Sequence, residues 1–308
     1  MHATGPNTMD TQGFGVDTVD YEAALPDLRT VRETVFVQEQ RVPLELEWDA
    51  LDPLCGHVLA RDAAGNPIGT GRLTPEHKIG RMAVLAPWRG RGVGDALLLA
   101  LLAAARERGW REVSLHAQVS AQDFYARHGF LPLGERFEEA GIDHQAMRLL
   151  LDAANPVESR EAAVAAAVGV IAGARRQLHI YTRELDPGLL DATGVMVALR
   201  RFATNGGEVQ VLLQHATAPQ RRGAPLIGLG QRLPSAFAFR VIEEPVDLEY
   251  PSAYIVNDGG GYLFRPLGHR FDGETRLDAP ARVRQLRAAF DEPWQRGRPC
   301  SEFRALGI

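Results

Sequence analysis

Hydrophobic and polar positions recur along this chain with two periods, and the changes of period mark out its elements. In PDLRTVRETVFVQEQ, Leu28, Val31, Val35 and Phe36 stand at i, i+3, i+7 and i+8, the stripe of an amphipathic helix. GHVLARDAAGNPIGTGRLT reads as strand, turn, strand, with the hairpin at Ala64-Gly65-Asn66-Pro67. KIGRMAVL predicts another strand, and Gly92 to Arg108 a long helix closed by Gly109. REVSLHAQ is a strand, and Ser120-Ala121-Gln122-Asp123 carries the capping-box pattern of a short helix that Gly129 ends. FLPLGERF and HQAMRLLL complete a first block in the order α-β-β-β-α-β-α-β-β.

Asn155-Pro156 is a strong breaker pair, and helical spacing resumes at Val157, so a boundary is predicted near residue 153. Beyond it the pattern predicts a helix over 157–176, a strand over 178–182, a helix over 193–204 and a strand over 209–214. A helix, a strand over 238–242, the strands SAYIVND and YLFRP across the turn at 258–261, and a helix over 280–296 follow. Both blocks are α/β layers. Neither an internal repeat nor a low-complexity linker separates them.

Composition narrows the class. The chain has 308 residues, 45% of them hydrophobic, enough for two cores. No run of eighteen apolar residues occurs, so no membrane span is expected. Residues 1–16 lack the charged and apolar regions of a signal peptide and read as a flexible tail. Cys55 and Cys300 read as two reduced thiols of a cytoplasmic protein. Residues 1–152 hold 15 Lys+Arg against 22 Asp+Glu, a balance of −7, and residues 153–308 hold 19 against 17, a balance of +2. Neither block has the basic excess of a nucleic-acid binder. Lys78 is the single lysine.

The most informative stretch is RMAVLAPWRGRGVGDALLLALL, residues 81–102. An apolar strand meets a glycine-rich turn and then a helix N-terminus. That order builds an anion site from close backbone approach, convergent N–H groups and the helix dipole. Arg89 and Arg91 add cations suited to phosphate oxygens. Gly92-Val93-Gly94 precedes Asp95, which rules out the Gly-Lys-[Ser/Thr] ending of a Walker loop. A third Rossmann glycine would fall at Leu97.

Arg89-Gly90-Arg91-Gly92-Val93-Gly94 fits R/Q-x-x-G-x-G/A instead. With the upstream strand GRMAV, the strand SLHAQ and the later FYARHGF (Phe124–Phe130), residues 17–152 resemble the GCN5-related N-acetyltransferase (GNAT) superfamily. RETVFVQEQRVP, EWDALD, KIGRMAV, HAQ and EEAGIDHQAM resemble its ElaA-like branch. The resemblance implies a mixed sheet with flanking helices, an α+β fold. It implies direct acetyl transfer from acetyl-CoA to a small-molecule or peptide amine. Met82, Ala83, Val84, Arg89, Gly90, Arg91, Gly92, Val93, Gly94 and Gln118 would hold the co-substrate. Tyr125 would protonate the departing thiolate, and backbone N–H groups near Met82–Val84 would serve the developing oxyanion. Candidates for the base are Glu39, Glu47, Asp49, His57 and His116. The strip EQRVPLELEWDALD carries five carboxylates, Glu39, Glu45, Glu47, Asp49 and Asp52, and would favour a cationic acceptor unless it is simply a solvated loop.

Residues 153–308 are similar to half of a phospholipase D-like unit. The strand matching its H-x-K-x-x-x-x-D motif reads Pro251-Ser252-Ala253-Tyr254-Ile255-Val256-Asn257-Asp258, with only Asp258 in place. An accessory domain without phosphodiesterase chemistry is expected. The alternative to an acetyltransferase is an acyl-CoA sensor whose second domain carries a partner or nucleic acid. No metal is implied, and a homodimer is left open.

Overall fold

The computed structural model describes residues 13–303. The chain forms two compact units: one holds the chain up to His116 and Arg136–Asp152, the other Ala117–Glu135 and the chain from Ala153 onward.

Along the first part run β1 (Phe14–Val19), α1 (Tyr21–Arg32), a π-helical segment (Glu33–Glu39), α2 (Leu44–Glu47), β2 (Gly56–Asp62), β3 (Pro67–Leu73) and β4 (Lys78–Val84). α3 (Val93–Glu107), β5 (Glu112–Gln118), α4 (Gln122–Arg127), β6 (Leu131–Glu139) and β7 (Ile142–Leu150) follow, with α4 inside the second unit. The seven-stranded sheet has the order β1-β2-β3-β4-β5-β7-β6. β1 to β4 are successively antiparallel, and β4 runs parallel to β5 because α3 provides the crossover between them. α3 lays Val93, Leu97, Leu98, Leu101, Leu102 and Ala105 into the core, each large side chain contributing roughly 1.5–3 kcal/mol. Gly69 and Gly71 on β3 let that helix come close: a Cβ at Gly69 would stand 2.9 Å from Leu97, and one at Gly71 2.8 Å from both Leu101 and Met82.

The second unit adds β8 (Asn155–Val157), α5 (Arg160–Ala172), β9 (Gln177–Thr182), α6 (Thr193–Thr204), β10 (Glu208–Leu213), α7 (Thr217–Arg222), α8 (Pro225–Arg232), β11 (Phe237–Val241) and α9 (Pro245–Leu248). β12 (Ala253–Asn257), β13 (Tyr262–Arg265), β14 (Gly273–Arg276), α10 (Pro280–Arg296) and β15 (Arg298–Pro299) complete it. Its eight strands have the order β15-β11-β10-β9-β12-β13-β14-β8, with β9, β10 and β11 parallel. Alternate strand residues feed two cores. Ile180, Val211 and Ile255 meet α5, α6 and α8, while Tyr181, Leu212 and Tyr254 meet Phe290 and Trp294 of α10. Burial on both faces makes β12 apolar up to Asn257 and buries β9 from Leu178 to Thr182, His179 included.

Four expectations need correction. Phe14, Gly15 and Val16, read as tail, belong to β1 and pair with Asp62, Arg61 and Ala60, and the Phe14 ring lies edge-on to Trp88 at 6.4 Å. Residues 1–12 lie outside the described residues. The helix expected from Val157 begins at Arg160, capped by Ser159, because Asn155-Pro156-Val157 forms β8 at the sheet edge, where the missing proline N–H costs no ladder bond. Ser120 sits in a 3-10 turn while Ala121 holds the α4 N-cap position without a side-chain bond, so the capping box does not form. β14 carried no readable alternation and was not foreseen.

Candidate functional site

Residues 81–102 form a bulged strand leading through a turn into a helix with no side-chain cap. On β3–β4 the register passes from Arg72↔Gly80 to Thr70↔Ala83, so Arg81 and Met82 together oppose Gly71. Arg81 takes φ +50°, the left-handed conformation a bulge demands. β4 pairs with β5 at Lys78↔Ser114 and Ile79↔Leu115, just ahead of that bulge. Downstream, Gly90 and Gly92 have φ +73° and +83°, and Gly92 is the N-cap of α3 with no side-chain cap. A Cβ at Gly90 would meet nothing within 4 Å. The first N–H groups of a 15-residue helix therefore emerge from a backbone-only turn, the arrangement that suits a phosphate or pyrophosphate.

The two arginines of the turn differ. Arg89 donates to the Val84 carbonyl at 2.9 Å and pairs with Glu39 at 2.5 Å, so it braces the loop against the end of the π-helix. Arg91 stacks its guanidinium on Trp88 at 5.1 Å and is exposed. Of the expected co-substrate residues, Met82, Ala83 and Val84 occupy the bulge and the strand after it, and Val93 and Gly94 open α3. Gln118 ends β5, within the second unit.

Within the acidic strip Glu45 is exposed, while Glu47, Asp49 and Asp52 are engaged by the chain's own arginines. Arg32, fully buried, donates to Glu47 at 2.5 Å and to both Asp52 oxygens at 2.9 and 3.1 Å. Arg72 spans Asp49 and Asp52 at 2.8–3.0 Å. Arg81, aimed by the bulge, reaches the Glu47 carboxylate at 3.2 Å and the carbonyls of Leu46 and Glu47. Three guanidiniums thus meet three carboxylates. Burial raises the Glu47 carboxyl above the ordinary range, and Arg32 and Arg81 offset only part of that. Burial acts on Asp52 in the same direction, yet Arg32 and Arg72 outweigh it and hold its carboxyl low. His57, buried with Nε2 2.8 Å from the Asp52 carbonyl, is pushed down by burial. The signal missed in the sequence was Arg32 itself, which the helical stripe concealed.

Among the five candidate bases only His116 lies outside this network and outside the Glu39–Arg89 pair. Exposed at the end of β5, it holds Nδ1 3.1 Å from Glu139 and touches Lys78 Nζ at 3.1 Å. Phe137 packs edge-on against its ring at 4.7 Å. Burial works against ionisation of Glu139, but the His116 contact outweighs it and holds the carboxyl below its usual range. Lys78 and Glu139 had not been singled out as site residues.

Tyr125 lies on α4 in the second unit, between the rings of Phe124 at 4.9 Å and Phe130 at 5.9 Å, with burial pushing its hydroxyl up to about 12. Asp258, the one match to the phosphodiesterase motif, accepts from the backbone N–H groups of Arg175 and Arg176 at 2.7 and 2.8 Å, a turn-capping role. Among the described residues no group of three or more His, Cys, Asp or Glu could hold a metal ion, and no helix is long and apolar enough to cross a membrane.

A bulged strand, a glycine turn and a helix N-terminus without a side-chain cap thus follow one another beside a parallel strand pair, an arrangement suited to an anion. Residues 31–151 match the model of the acetyltransferase (GNAT) domain, and residues 159–306 match a domain of unknown function (DUF7931). Over 130 residues the chain is 40% identical to an uncharacterized N-acetyltransferase of Bacillus subtilis, YjcF, covering 41% of this chain and 92% of that protein. It is also similar to an acyl-CoA N-acyltransferase of Pseudomonas aeruginosa, at 32% identity and TM-score 0.40 over 44% of this chain and 98% of that one. Escherichia coli ElaA is similar at 27% identity and TM-score 0.40, over 44% and 98%. Through its first region the chain belongs to the GNAT acetyltransferase family, and it is an acyltransferase of that family.

Proposed function

We propose that the protein moves the acetyl group of acetyl-CoA onto the amine of a small molecule or peptide, with the turn 89–94 and the β4 bulge as the co-substrate site. The observation that carries this reading is the run of bulge, backbone-only turn and uncapped α3 within one continuous segment. Acetyl-CoA supplies the activated thioester and the leaving thiolate. Gly92, Val93 and Gly94 present N–H groups to its pyrophosphate, and Gly90 leaves room for close approach. Arg91 adds charge, while Arg89 holds the turn in place. The backbone of Met82–Val84 supports the pantetheine arm and offers an N–H where negative charge develops; the family resemblance implies Gln118 as a further co-substrate residue. His116 takes the proton from the attacking amine, and the Glu139 carboxylate favours the imidazolium that results. Tyr125, protonated across the working range, hands a proton to the sulphur.

The ElaA-like branch is part of this proposal, supported by the segments RETVFVQEQRVP, EWDALD, KIGRMAV, HAQ and EEAGIDHQAM. Residues 153–308 act as a non-catalytic accessory unit, similar to half of a phospholipase D-like fold, with Asp258 occupied in a turn. A cytoplasmic setting and a homodimer belong to the same reading. CoA release measured across a panel of amines tests it: turnover with at least one amine is expected, and Tyr125→Phe should lower that turnover about 10²-fold while acetyl-CoA binding is kept. Acetyl-CoA binding without CoA release on any amine would favour a sensor.

A further inference from the structure

Lys78 is the chain's single lysine, and every other side-chain cation at neutral pH is an arginine guanidinium, too basic to offer a neutral nitrogen. Its position on β4 is specific. It pairs with Ser114 ahead of the bulge, and its Nζ lies 3.1 Å from both ring nitrogens of His116, two residues beyond Ser114 on β5. The side chain therefore leans forward along the strand. Continuing the parallel register brings His116 level with Gly80, one residue short of Arg81, where the bulge begins. A primary amine is thus held against the imidazole assigned above as proton acceptor, next to the bulge assigned to the thioester.

The surroundings also disfavour charge on that amine. Burial lowers its pKa first, and the Arg72 and Arg81 guanidiniums push the same way against the pull of Glu139. His116, Glu139, Arg72 and Arg81 are the charged or titratable groups that face it.

Resting on the acetyl-transfer reading, we propose that Lys78 is an acetyl acceptor of the protein's own reaction. The Nζ lone pair forms an amide bond to the acetyl carbonyl carbon, and the C–S bond of acetyl-CoA breaks. One Nζ proton passes to His116, and the CoA thiolate takes up a proton as it leaves. No oxidant or reductant is involved. The product amide is uncharged, which removes a half-buried ammonium from the repulsion of the Arg72 and Arg81 guanidiniums. An external amine needs the same imidazole, so it competes with Lys78.

The full-length protein incubated with acetyl-CoA alone should gain the mass of one acetyl group per chain, mapped to Lys78 by peptide analysis. The rate should not depend on protein concentration. Lys78→Arg should lose the gain, His116→Gln should slow it about 10²-fold, and a good amine acceptor should slow it in proportion to its own acetylation. CoA release to amines with Lys78 left unmodified would overturn the inference and leave the acetyl-transfer reading standing. So would modification at the same rate in His116→Gln or in the urea-unfolded chain. A protein that neither binds acetyl-CoA nor releases CoA would overturn both.

Discussion

Two polar clusters of the first unit behave oppositely. Around Arg32, three guanidiniums and three carboxylates satisfy one another, and Arg32, Glu47 and Asp52 are 0–2% exposed. Around His116, the imidazole has one carboxylate, one amine and an open side, with 35% of its side chain exposed. The buried carboxylates of the first cluster are taken up by its own arginines, whereas the second cluster keeps an open side. A run of carboxylates is therefore poor evidence for a cation site until its cations are counted, and an isolated histidine with a carboxylate behind it is the better candidate for chemistry.

The largest effect should come from breaking the closed cluster. Arg32→Ala strands Glu47 and Asp52 as buried, under-compensated charges and should cost about 3–5 kcal/mol of stability, read from urea unfolding. A cost typical of an exposed ion pair would show that the network is open to water after all.

The second unit extends the contrast with a closed imidazole. His179, 4% exposed on β9 with its ring edge-on to Phe290 at 5.0 Å, has its pKa lowered to about 4 by burial, with Arg287 acting the same way. Its folded value lies below the unfolded value of about 6.5, so the unfolded chain binds the extra proton first. Stability should be intact above about pH 6.5 and decline toward pH 4, by about 3 kcal/mol in all. Urea unfolding at pH 7 and near pH 4 should show this loss, and His179→Gln should flatten it. An unchanged pH slope in the variant would assign the loss to other groups.

Opening the second cluster further should affect catalysis and little else. His116→Gln should lower kcat/KM about 10²-fold, or about 2.7 kcal/mol, with unfolding within about 0.5 kcal/mol of wild type. Equal activity would return the base assignment to the other candidates, Glu39, Glu47, Asp49 and His57; a large loss of stability would make His116 structural.

Much of this was legible in the sequence because it rests on local rules. The β2–β3 hairpin, α3 with its glycine turn, α6 and α10 announce themselves through period, glycine and proline. What stayed hidden depends on partners far along the chain. Arg32 lies on a helical stripe and says nothing of Glu47 and Asp52 until the chain folds back. The Lys78–His116–Glu139 contact joins three strands. Phe14 to Val16 are strand only because β2 offers them an edge, and Asn155-Pro156 only because β14 does. The bulge at Arg81 is likewise set by its neighbour, since a slip of register against Gly71 leaves no mark in KIGRMAV itself.

The central claim is that the turn at Gly90–Gly94 receives acetyl-CoA through backbone groups. Thermal unfolding with and without acetyl-CoA tests it most directly, in the wild type, in Gly92→Val and in Gly65→Ala. Gly65 has φ +86° in the β2–β3 hairpin and carries the same kind of backbone strain away from the turn. At about a hundred times its dissociation constant the ligand should add about 2.7 kcal/mol to the wild type and to Gly65→Ala, and almost nothing to Gly92→Val. Equal stabilisation of all three proteins, or none in the wild type, would contradict the account.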